Sequence, residues 1–126
     1  MSQIIVIPQS NGQVTLTAGQ NINAFMVITV NPDGRAYIAS AATAADAGKI
    51  VGVATTSATT GNTIQVQMIG EVDNLGFNFT PGSQLFLGLN GALTTSPALG
   101  SFEQPIGVAA SASRLLLTIG LPIVLA

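Results

Sequence analysis

Residues 48–72 read "GKIVGVATTSATTGNTIQVQMIGEV", and residues 104–124 read "QPIGVAASASRLLLTIGLPIV". Both contain Gly-Val-Ala, at residues 52–54 and 107–109. In each, a polar connection, an apolar strand pattern and a glycine follow. In the first stretch Ile64, Val66 and Met68 alternate with Gln65 and Gln67, the period of a half-buried β-strand. The repetition therefore predicts β-structure, written twice.

The pattern extends outward from both stretches. "TLTAGQNINAFMVITVNPDGRAYIAS" parallels "NFTPGSQLFLGLNGALTTS", which sets Thr17-Ala18-Gly19-Gln20 beside Thr80-Pro81-Gly82-Ser83. Around residue 27, Phe25, Val27 and Thr29 alternate with Met26, Ile28 and Val30. Apolar residues on both faces predict a strand covered on both sides. Asn31-Pro32-Asp33-Gly34, Pro81-Gly82 and Asn90-Gly91 are turn signals, because proline presets φ and glycine accepts positive φ. Residues 40–48, "SAATAADAG", form at most one very short helix, with Ser40 as cap and Gly48 as stop, or an irregular loop. The expected fold class is all-β: a compact β-barrel or β-sandwich in a single domain, 1–126, built from pseudo-repeated halves of about 13–72 and 77–124. Neither half is long enough to bury a good core alone, so the halves should share one. Gly52 and Gly107 are expected where the halves approach closely or where a bulge bends a strand.

Composition restricts the function. Of 126 residues 48% are hydrophobic and only 6% are charged, against about 25% charged in an average soluble domain. Such a neutral surface fits burial in an assembly, where each charge would need a partner, or else a neutral, Thr-rich exterior that stays soluble without charge. The apolar run at residues 115–126 is interrupted by Gly120 and Pro122 and falls short of the roughly 20 residues of a spanning helix. Residues 1–10 make a poor signal peptide, with no basic n-region and Pro8 in the apolar run. The net charge is −2, and the three basic residues, Arg35, Lys49 and Arg114, are scattered. Nucleic-acid binding needs a clustered basic patch, so none is expected.

The chain has no histidine and no cysteine. That removes the usual general base, the commonest metal ligands and thiol chemistry. Lys49 is followed by Ile50, where a phosphate-binding loop needs Ser or Thr. Asp46 and Lys49 are spaced to pair across a helical turn. Glu71 and Asp73 share a strand face, but a calcium ion needs about 6–8 oxygen ligands, and a solvated strand end is the simpler reading. Phe25, Tyr37, Phe77, Phe79, Phe86 and Phe102 read as core. No enzyme activity, metal or cofactor is expected.

The stretches "VTLTAGQNINAFMVITVNPDGRAYIAS", "AGKIVGVA", "IQVQMIGEV", "FTPGSQLFLGLNGALTTSP" and "IGVAASASRLLLTIGLPIVL" resemble the capsid cement or decoration proteins of tailed bacteriophages, over about residues 13–124. Related modules occur in phage fibres and spikes. The matching motifs are turns and strands, not catalytic signatures. The resemblance implies a virion structural protein on the outer capsid surface, with the major capsid protein and its own copies, as a homotrimer, for partners. The alternative it carries is a fibre or head-spike module for host or glycan attachment. The apolar termini, residues 3–8 and 115–125, either pair with each other or add to a neighbour's sheet. Ile4, Ile5, Val6, Ile7, Leu121, Ile123, Val124 and Leu125 are the expected contact residues.

Overall fold

A computed structural model describes residues 12–97 and 100–124 of the chain. The fold is all-β, with one 3-10 turn at Ala44–Asp46. Its strands are β1 (Gln13–Thr17), β2 (Val27–Val30), β3 (Ala36–Ile38), β4 (Ile50–Ala54), β5 (Thr63–Gln67), β6 (Gly70–Asp73), β7 (Gln84–Leu87), β8 (Leu93–Thr94), β9 (Phe102–Glu103), β10 (Pro105–Ser111), β11 (Arg114–Leu117) and β12 (Ile123–Val124). One sheet has the order β1-β5-β4-β2-β3, the second β6-β11-β10-β7-β8, and β12 pairs with β9. Among the described residues the two large sheets pack as layers, sandwich-like, without closing into a barrel.

The strand orders correspond position for position, and the register refines the match. On β4, Gly52 faces Ile28 and Ile50 faces Thr29, so Val51 is an extra, bulged residue. On β10, Gly107 faces Leu85 and Pro105 faces Phe86, so Ile106 is bulged in the same way. A Cβ on Gly52 would lie 2.0 Å from the Gln67 carbonyl oxygen, and one on Gly107 would lie 2.1 Å from that of Leu116. Glycine is therefore required at both positions by the close approach of a neighbouring backbone.

The same register corrects two expectations from sequence. The partner of Thr80-Pro81-Gly82-Ser83 is Asn23-Ala24-Phe25-Met26, not Thr17-Ala18-Gly19-Gln20. The Gly82 N–H donates to the Ala109 carbonyl, and the Phe25 N–H donates to the equivalent carbonyl of Ala54. Gly82 has φ +88°, and Phe25 holds φ +70° in its place. Phe25 therefore precedes β2 rather than belonging to it. Residues 70–72, which the sequence puts in the first half, lie in β6 of the second sheet.

Two buried clusters explain the layering. Ala18, Ile22, Ile28, Ala36, Ala54, Ile64 and Val66 pack on one face of the first sheet. Its other face, through Val27 and Val53, joins Leu85, Leu87, Phe102, Ile106, Ala109, Leu115 and Leu117 of the second half. Strand β2 is thus covered on both faces, with Val27, Ile28 and Thr29 all buried. The Thr29 hydroxyl donates to the Lys49 carbonyl at 2.9 Å, which satisfies that buried polar group. Burying a side chain the size of Phe102 contributes roughly 2–3 kcal/mol. Phe25, Phe77 and Phe79 pack against this core. Phe77 stacks on Phe79 with centroids 4.5 Å apart and meets Phe25 edge-on at 5.7 Å.

Covering both faces also overturns the simple alternation in β5. Gln67 lies opposite Val53 and is only 5% exposed, its Nε2 donating to the Ile69 carbonyl at 2.6 Å. Met68 falls beyond the strand and is 42% exposed. Residues 40–48 hold only the 3-10 turn, preceded by Thr43 rather than Ser40. The Ser40 N–H donates instead to the buried Asp46 carboxylate at 3.0 Å, and its Oγ accepts from the Ala42 N–H.

Candidate interaction surface

The C-terminal segment is tied down along one side. After β11 it continues in the same direction past the start of β10, with the Thr118 N–H donating to the Ile106 carbonyl and the Gly120 N–H to that of Pro105. Buried Gln104 holds this extended segment in place. Its Nε2 donates to the Gly120 carbonyl at 3.0 Å and its Oε1 accepts from the Gly48 N–H at 3.3 Å. Pro122 lies against Gly48, where a Cβ would meet Cγ at 3.8 Å. Ile123 then pairs with Glu103 and Val124 with Phe102.

This anchoring presents apolar side chains outward. Leu121 is 86% exposed, Ile123 60% and Val124 72%. Among the described residues β12 has a strand partner on one edge only. Leu115 and Leu117, in the contact segment expected from sequence, point into the core, while Leu116 is on the outer face. Ile4, Ile5, Val6, Ile7 and Leu125 lie outside the described residues.

Sequence reasoning missed a second exposed group, Met68 and Ile69, at the junction between β5 and β6. The Met68 N–H donates to the Gly12 carbonyl, and the Ile69 side chain covers Gly12. The Gly70 that follows, with φ +89°, was the available signal that the strand pattern breaks there.

Several charged groups elsewhere in the fold are engaged locally. Glu71 and Asp73 do share a face, and Arg114 of β11 occupies it. Arg114 donates to both Asp73 carboxylate oxygens, at 2.8 and 3.2 Å, and lies 3.5 Å from Glu71. The Arg114 hydrogen bonds hold the Asp73 carboxyl below the usual carboxylate range, and Asp73 in turn raises Arg114. Asp33 accepts from the Tyr37 hydroxyl and the Arg35 N–H, which lowers its carboxyl and raises the Tyr37 phenol. Among the described residues, no three His, Cys, Asp or Glu side chains form a group able to hold a metal ion.

No protein-family model matches the chain, and no curated protein sequence matches it.

Proposed function

We propose that this chain is a non-enzymatic virion structural protein, a capsid cement protein that binds the outer surface of a phage head. The observation that supports this most directly is the anchored but outward-facing apolar segment Leu121–Val124, on a rigid two-sheet scaffold with few charges. A lattice clamp needs a small complementary surface repeated many times, because multivalency multiplies a modest single contact. The major capsid protein and further copies of this chain, as a homotrimer, are the proposed partners.

Quantitative mass spectrometry of purified particles tests the assignment. A ratio to the major capsid protein near one to one, or another simple lattice fraction, supports cement. A handful of copies per particle would favour a fibre or spike instead, and none would remove the virion role. The surface is tested with Leu121→Asp/Ile123→Asp. Loss of capsid binding with an unchanged unfolding midpoint is expected, and wild-type binding by that variant would rule the segment out.

A further inference from the structure

The two halves differ most between the fourth and fifth strands of the first sheet. There the connection runs over residues 55–62, whereas β10 and β11 are joined by residues 112–113. In both halves the connection bonds back to the segment before the next strand pair. The Ile22 N–H donates to Ala58 at 2.9 Å, and the Phe79 N–H donates to Ala112 at 3.1 Å. The longer connection of the first half adds a polar rim. Asn21, Ile22, Asn23, Ser57, Ala58 and Thr59 line an open depression of about 360 Å³.

The hydrogen bonds already made there define what the rim can still offer. Asn21 Oδ1 accepts from both the Thr60 N–H and its hydroxyl, at 3.0 and 3.2 Å. Ser57 Oγ accepts from the Ala24 N–H at 2.9 Å. Thr59 Oγ1 accepts from Asn62 Nδ2 at 2.6 Å. In each case a side-chain oxygen is engaged as acceptor, which leaves the Asn21 amide N–H groups and the Ser57 and Thr59 O–H groups as donors. Asn23 is exposed beside them. Ala58, locked to Ile22 by reciprocal backbone bonds, supplies a small apolar floor, while the Ile22 side chain itself is buried in the core. None of the six lining residues is charged.

We infer that this depression binds a neutral saccharide. Hydroxyl and ring oxygens of a sugar accept from these donors and from the exposed Asn23 amide, and its C–H face covers Ala58. A phosphate or sulfate would call for a basic side chain, and the lining has none. The site is open and lacks an aromatic platform, so the affinity for one sugar unit falls in the millimolar range. The inference is independent of any capsid role and concerns the isolated chain.

The experiment is a ¹⁵N–¹H NMR titration of the full-length protein. The probes are glucose, galactose, mannose, N-acetylglucosamine and N-acetylgalactosamine, with sodium sulfate as the anion control. Saturable shifts of the amides of residues 21–23 and 57–60 are expected with at least one sugar and not with sulfate. Thr59→Val and Asn23→Ala should each weaken binding about tenfold, the effect of one lost hydrogen bond. Asn23 lies outside the internal hydrogen-bond set, so its variant tests the site without loosening the loop. No shift with any of the five sugars, an equal response to sulfate, or undiminished binding by Asn23→Ala would overturn the inference.

Discussion

The two sheets share strand order, bulge and obligatory glycine, yet they differ wherever equivalent side chains face solvent. The cross-strand pair of Thr15 and Gln65 is joined by a neutral hydrogen bond at 3.1 Å. Its counterpart is Asp73 with Arg114, an ion pair. Val66 and its counterpart Leu115 are both fully buried. Backbone approach and core volume therefore constrain both halves alike, while exposed positions diverge because a surface pair contributes little in either form. Phe25 and Gly82 lie between these extremes. The same left-handed turn position holds a glycine facing open space in one half and an aromatic ring packed on Phe77 in the other.

The sharpest way to break the comparison is at the two bulges. Gly52→Ala and Gly107→Ala should each cost about 3 kcal/mol or prevent folding, since the added methyl meets a backbone oxygen. Urea denaturation measures both, and a tolerated Gly107→Ala would separate the halves. Truncating the matched core pair comes next. Leu115→Ala should cost about 3 kcal/mol and Val66→Ala about 2, in proportion to the volume removed. Because Val27 and Val53 share a cluster with Leu115, each variant should unfold in one transition, and two separated transitions would contradict a shared core.

A smaller effect isolates the strained turn. Gly82→Ala should cost about 1 kcal/mol, from positive φ alone, because nothing lies within 4 Å of the added methyl. No measurable loss would mean that the turn relaxes, and that Phe25 carries no strain either. The smallest change is Arg114→Gln, which makes the ionic pair neutral like its counterpart. The folded Asp73 carboxyl lies below its unfolded value, so its contribution is present above about pH 4 and disappears as pH falls through the folded value. Parent and variant should therefore differ slightly at neutral pH and converge in acid. Carboxyl NMR should show Asp73 returning toward the ordinary range while Asp33, held by Tyr37, stays unchanged.

Much of this fold is legible in the sequence because its signals are local. Asn31–Gly34 closes with the Gly34 N–H on the Asn31 carbonyl, and Asn90-Gly91 turns with both residues at positive φ. Double-faced burial of β2 follows from its apolar run. The repeat is visible too, but its register is not, because Thr-Ala-Gly looks more like Thr-Pro-Gly than Asn-Ala-Phe does. A phenylalanine at positive φ carries no sequence signature. Of the proposed contact surface, Leu121, Ile123 and Val124 were readable as apolar residues near a terminus, whereas Met68 and Ile69 read as strand interior.

The sequence by itself determined the β-class, the turns and the places where only glycine fits, because these depend on φ preferences and residue period over a few neighbours. Tertiary structure alone decided that Gln67 is buried and Met68 is not, that Arg114 fills the face shared by Glu71 and Asp73, and that the C-terminal apolar residues stay outside. Each of these depends on which element packs against a strand face. Residues distant along the chain make that choice by covering the face or leaving it open.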